Sequence, residues 1–217
     1  MSAEEPGALA KAGSGLVDHL LRVGVDGFGP FKSARESAAD ALAKSEGDRD
    51  RAVRQLIRNH VALAGAQGFV TNLGGLITLP VTLPTNVTAS YVIQTHLIAS
   101  IAAVYGRDLE SEEVQTAILL CLLGNAGTDL LKKVGIGQFN KRVAAALLAK
   151  YGGKKAGATL AKGVPLVGGV IGGGFDAAST RAVGAFARKF FTNEESSPMV
   201  IDGEVVAIEE AAIEEAD

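Results

Sequence analysis

The side chains best suited to proton transfer, nucleophilic attack or metal binding near neutral pH are His19, His60, His96 and Cys121. No histidine stands in a His-x-x-x-His or Glu-x-x-His spacing, so a helical metal site has no support and no metal is expected. A lone cysteine excludes an internal disulfide framework and a cysteine-based zinc site. Cys121 lies in the apolar run Ala117–Leu123 and reads as a small core residue, not a reactive thiol. A phosphate loop needs a glycine-rich turn that ends in Lys-Ser or Lys-Thr. Gly168–Gly174 supplies glycines, then runs into Phe175-Asp176 without a lysine. A nucleotide site is therefore not expected, and neither is any other cofactor.

What remains for chemistry is a set of polar groups in apolar surroundings. Gln67, Thr71, Asn72, Gln94, His96, Asn125, Asp129 and Asp176 are of this kind, and burying such groups unpaired is costly. Asp129, Asp176 and His96 would be the hydrolytic alternative. Structural networks are the simpler expectation, because they concentrate the same residue types. His60 and His96 read as packing histidines, each with a hydrogen-bond partner. Gln94 and His96, two residues apart on a helix, point in different directions. If the interior holds a lipid-like ligand, Asn72, Gln94, His96, Asn125 and Asp176 are the residues expected to touch it.

The charges are segregated. No Asp, Glu, Lys or Arg occurs in the 48 residues from Asn59 to Gly106. Ordinary soluble helices show a charged outer face every turn or two, so this stretch must be covered by protein, ligand or lipid. Residues 130–191 carry eleven basic side chains and one acid, a local charge of +10. Beyond Phe191 there are nine acids and no base. Lys132, Lys133, Lys141, Arg142, Lys154 and Lys155 are the residues expected to face an anionic membrane, at about 1 kcal/mol each when well placed. Nucleic acid is disfavoured, since the basic segment lacks interleaved aromatics and any reader motif.

These residues must be carried by helices. Leu16–Phe28 has helical apolar spacing and stops at Gly27–Gly29–Pro30. Ser33–Lys44 is an exposed helix, and Asp48 caps a third whose inner face is Val53, Leu56, Ile57, Val61 and Ala64, opposite Arg49, Arg51, Arg54 and Arg58. Thr85 or Asn86 starts a helix that runs through Tyr105, and Ser111 caps one that carries Val114–Leu123. Phe139–Tyr151 and Lys154–Lys162 read as short helices. Pro165 suits the first turn of a last helix ending near Phe191. In it Gly168, Gly172 and Gly184 are small residues that let another helix approach. Met199–Val206 alternates around Asp202–Gly203, a weak hairpin signal.

Leu73-Gly-Gly-Leu76 with Pro80, then Gln94, the Ala102–Tyr105-Gly106 ending and Leu119–Gly124, resemble the EcsC family of bacterial proteins. Val164-Pro-Leu-Val-Gly-Gly169, with Gly172–Gly174, Asp176, Arg181 and Ala187, resembles it too. The resemblance spans roughly 49–191 and implies no catalytic residues for this chain. The family takes its name from a gene neighbour of an ATP-binding-cassette transporter, which implies a partner of that kind.

The expected fold is all-α: one compact multi-helix bundle over 1–191 with a buried, charge-free helical hairpin, then an acidic tail at 192–217, flexible or hairpin-forming. The expected function is a non-enzymatic module that associates peripherally with membrane or binds a lipid-like ligand. The alternatives are an assembly factor that docks a protein through its acidic tail, and a hydrolase. The N-terminus lacks the basic start and apolar run of a signal peptide, so the expected place is the cytoplasm, at the inner face of the membrane.

Overall fold

The computed structural model describes residues 6–27, 32–73, 85–135, 138–139, 142–143, 145–147, 165–192, 200–201 and 204–205. Seven helices account for most of them: α1 (Pro6–Asp26), α2 (Ala34–Lys44), α3 (Arg49–Leu73), α4 (Thr85–Val104), α5 (Glu112–Leu123), α6 (Asn125–Val134) and α7 (Pro165–Thr192). The protein is all-α, with a short antiparallel ladder near the C-terminus, Val200 opposite Val205 and Ile201 opposite Glu204. The ladder flanks Asp202–Gly203, where the alternation suggested a hairpin.

Local chemistry sets the helix ends. Ser33 and Glu36 form a reciprocal cap at α2: the Ser33 Oγ accepts from the Glu36 amide at 3.2 Å, and the Glu36 carboxylate accepts from the Ser33 amide at 2.9 Å. Asp48 accepts from the Arg51 amide at 2.9 Å and so opens α3. Ser111 does the same for α5 through the Val114 amide. α1 begins earlier than its apolar spacing suggests, at Pro6, because Ala and Lys extend the helix ahead of Leu16 without an apolar stripe.

α4 is the axis of the bundle. Every residue from Ser90 to Ala102 is buried, and α1, α2, α3, α5 and α7 all pack on it. A helix covered on all sides has no outer face to carry charge, which accounts for the α4 half of the charge-free stretch. The α3 half is one-sided. His60 and Ala64 point inward, while Asn59, Ala62 and Ala66 are exposed. The hairpin expectation is therefore refined: its α4 arm is enclosed, and its α3 arm shows solvent a neutral surface of small residues. The connection 74–84 lies outside the described residues. No described helix is long and apolar enough to cross a membrane.

Close approach of the helices depends on glycine. A Cβ at Gly24 of α1 would fall within 2.9 Å of the Thr95 Cβ on α4, and closer still to its Cγ2. At Gly184 of α7 it would meet the Ile57 Cγ1 at 2.9 Å and the Leu97 Cδ2 at 3.0 Å. Gly184 thus does what its spacing suggested, letting α3, α4 and α7 meet. The surroundings of Gly168 and Gly172 lie outside the described residues. Cys121 is fully buried in α5, and burial pushes its thiol well above the ordinary cysteine range. Phe139, Val143 and Leu147 turn one apolar face into the core.

Candidate functional site

α3 and α7 form the most extensive helix pair in the bundle and run in opposite directions, as three contacts show. Asp50 meets Arg188, Ile57 meets Gly184, and Gly65 faces Gly173 and Ala177. Arg54 and Arg58 leave α3 one turn apart on its solvent side, and α7 sets Arg181, Arg188 and Lys189 beside them. Between the two rows lies an open groove of about 630 Å³, floored by Ile57, Val61 and Ala185 and closed at one end by Thr192. That end is held by a hydrogen bond of 2.8 Å between the hydroxyls of Tyr105 and Thr192.

Five cations on one groove repel one another unless something sets their positions. Asp50 does so for two. Its carboxylate accepts from the Arg54 Nη1 at 2.7 Å, and from the Arg188 Nε and Nη2 at 3.1 and 2.9 Å. The second pair is a fork-to-fork contact, which fixes the guanidinium plane as well as its position. Arg58 and Arg181 have no carboxylate partner among the described residues. A planar guanidinium with free donors beside an apolar floor is suited to a phosphate on an amphiphile.

The outer surface changes along its length. From Arg58 onward the exposed positions of α3 are Asn59, Ala62 and Ala66, and those of α7 before Arg181 are Gly174, Phe175 and Ala178. Phe175 is 44% exposed, an unusual position for a large apolar side chain. A cationic groove therefore adjoins a charge-free surface on the same pair of helices.

The ligand-contact residues expected from sequence do not form one site. Gln94 is buried and donates to the Ser179 Oγ at 3.1 Å. His96 turns the other way, toward His60 and the Lys32 carbonyl. Asn125 is exposed at the start of α6, Asp176 is buried on α7, and the Asn72 side chain lies outside the described residues. Of the residues named for the hydrolytic alternative, His96 and Asp176 are buried and Asp129 is exposed on α6. Of the basic residues expected at a membrane, Lys132 and Lys133 are exposed in the last turn of α6, where they also favour the helix dipole. Arg142 is exposed. Lys141, Lys154 and Lys155 lie outside the described residues.

The family model for the EcsC protein family matches residues 32–193, from the segment before α2 to the end of α7. The chain is an EcsC-family protein. No curated protein and no solved structure matches it. The matched span of this EcsC-family chain contains both walls of the groove and stops at its Thr192 end. Arg54, Arg58, Arg181 and Arg188 were not legible as a set in the sequence. Arg54 and Arg58 fall one turn apart and Arg181 and Arg188 two turns apart, but nothing in the order of residues says that α3 and α7 lie side by side.

Proposed function

We propose that this EcsC-family protein associates peripherally with anionic membrane surfaces, holding lipid phosphates in the groove between α3 and α7. The observation that carries the reading is the pair Arg58 and Arg181, unpaired among the described residues and flanking an apolar floor. Two further guanidiniums beside them are already oriented by Asp50. Cations of this kind each contribute about 1 kcal/mol at a membrane carrying anionic lipid, so four guanidiniums less the Asp50 carboxylate give a preference of roughly a hundredfold at low salt. Phe175 and the neutral surface next to it add apolar area at the depth of the headgroups. The interior of the bundle takes no part in this mode, since α4 is covered by protein.

Co-sedimentation with phosphatidylcholine vesicles, with and without phosphatidylserine, tests the reading. The wild-type protein should bind only the vesicles that contain phosphatidylserine, and added salt should weaken binding steeply. Arg58→Glu with Arg181→Glu should cut the affinity by about a hundredfold or more with unchanged helicity. Equal binding to neutral vesicles, or undiminished binding by the doubly reversed variant, would refute the assignment.

A further inference from the structure

His60 on α3 and His96 on α4 are buried together, away from the groove. They link three elements in one chain of contacts. The His60 Nδ1 lies 2.8 Å from the Leu56 carbonyl oxygen, and the His60 Nε2 lies 2.9 Å from the His96 Nδ1. The His96 Nε2 lies 2.9 Å from the carbonyl oxygen of Lys32, in the segment that leads into α2.

The protons in this chain can be counted. Both carbonyl ends only accept, so each needs an N–H pointing at it, and the contact between the rings needs one more. That makes three protons on four ring nitrogens. Two neutral imidazoles bring two. The neutral pair is therefore one proton short, and one of its three contacts must set lone pair against lone pair. The cheapest to leave unmade is at Leu56, whose carbonyl also accepts within α3. A single added proton completes all three bonds without moving a ring. A second would place the His60 Nε2–H and the His96 Nδ1–H head to head at the same 2.9 Å, two donors and two charges in a dry site.

No counter-charge stands ready to absorb that second proton. α4 has no charged residue, and Arg58 on α3 is exposed. From α1 come Asp18, Arg22 and Asp26, all exposed. Ahead of α2 and on it, the Lys32 ammonium is paired with Asp40, and Glu36 is engaged by Ser33. α7 brings the buried Asp176 and the exposed Arg181. Among the described residues none of these bonds to either ring. Burial, and the charge of its partner ring, hold His60 down to about 4, while burial also lowers His96.

We propose that His60 and His96 form a proton-operated clasp. It takes up one proton in place, and a second drives the rings apart and frees the Lys32 carbonyl, so acid unlocks the start of α2 from the bundle. This goes beyond membrane binding and does not depend on it.

The test uses the full chain labelled with ¹⁵N at histidine, followed by long-range ¹H–¹⁵N NMR from about pH 7.5 to about pH 4. Exposed His19, outside the clasp, is the reference ring. The nitrogens of His60 and His96 should shift together as the pair gains one proton, at lower pH than the ordinary imidazole value of about 6.5. As the second proton binds, exchange at the Glu36 and Ser37 amides should accelerate about tenfold, the factor for one lost hydrogen bond. Exchange at Ile98, inside α4, should not. A glutamine at 60 can turn either end of its amide to His96, so His60→Gln removes the proton deficit and should abolish the acid release. Independent titration of the two rings, or release that persists in His60→Gln, would overturn the proposal.

Discussion

Two glycines in α7 give a matched pair of substitutions. Gly174→Ala and Gly184→Ala sit in the same helix and gain the same helix propensity, about 1 kcal/mol in favour of alanine. Both also lose the same freedom from the unfolded chain. A methyl at Gly174 meets nothing within 4 Å, whereas at Gly184 it lies 2.9 Å from the Ile57 Cγ1 and 3.0 Å from the Leu97 Cδ2. Overpacking of that order costs about 1–3 kcal/mol. Gly174→Ala should thus stabilise the protein by up to about 1 kcal/mol, and Gly184→Ala should be neutral to destabilising by about 2. The difference between the two isolates the three-helix contact. Urea unfolding at fixed pH measures it, provided the slopes agree so that midpoints can be compared. If both alanines moved the midpoint equally, the close approach of α3, α4 and α7 at Gly184 would be wrong.

Other outcomes follow from the same structure. His60 is held neutral, with its pKa lowered from 6.5 to about 4, so between those values the unfolded chain binds more protons than the folded one. Its contribution is intact above about pH 6.5 and is lost as the pH falls toward 4, a loss of about 3 kcal/mol that chemical denaturation across this window should resolve. Glu36, Asp40 and Asp48 are also held below their ordinary range, but their loss comes at lower pH. Leu122→Ala, at a fully buried site in α5, should cost about 2–5 kcal/mol in the same assay. Cys121 should resist a thiol reagent in the folded protein and react with one equivalent in denaturant. Asp50→Asn should lower stability by no more than about 1 kcal/mol, because its pairs are half exposed, and should tighten binding to phosphatidylserine vesicles.

Much of the architecture could be read from punctuation. Asp48 and Ser111 marked helix starts because a short oxygen-bearing side chain satisfies an amide the helix leaves open, and each accepts that bond, while Ser33, read as the first residue of its helix, proves to be a cap of the same kind. The absence of charge from Asn59 to Gly106 marked the central helix, which is enclosed from Ser90 to Ala102, but the same absence in α3 goes with a neutral face that meets solvent at Asn59, Ala62 and Ala66. What the residues could not reveal was adjacency. Arg58 and Arg181 lie far apart in the chain, and periodicity describes a helix without naming its neighbour. Gln94, His96, Asn125 and Asp176 were grouped by chemical type alone, and the fold sends Gln94 to Ser179 and His96 to His60 and the Lys32 carbonyl, while Asn125 is exposed. The pairing of His60 with His96 was equally hidden: each was expected to have a hydrogen-bond partner, but their 36-residue separation gave no sign that the partner was the other.

The ion pair between Asp50 and Arg188 joins positions 138 apart in sequence, and the whole α3–α7 seam is of this long-range kind. During synthesis α3 emerges early and waits for its mate until more than a hundred further residues have been added. Throughout that interval Ile57, Gly65 and their neighbours have no α7 to shield them. Completion of the bundle is thus deferred to the last helix, which makes the nascent protein a natural client for chaperones and a truncated one prone to aggregate.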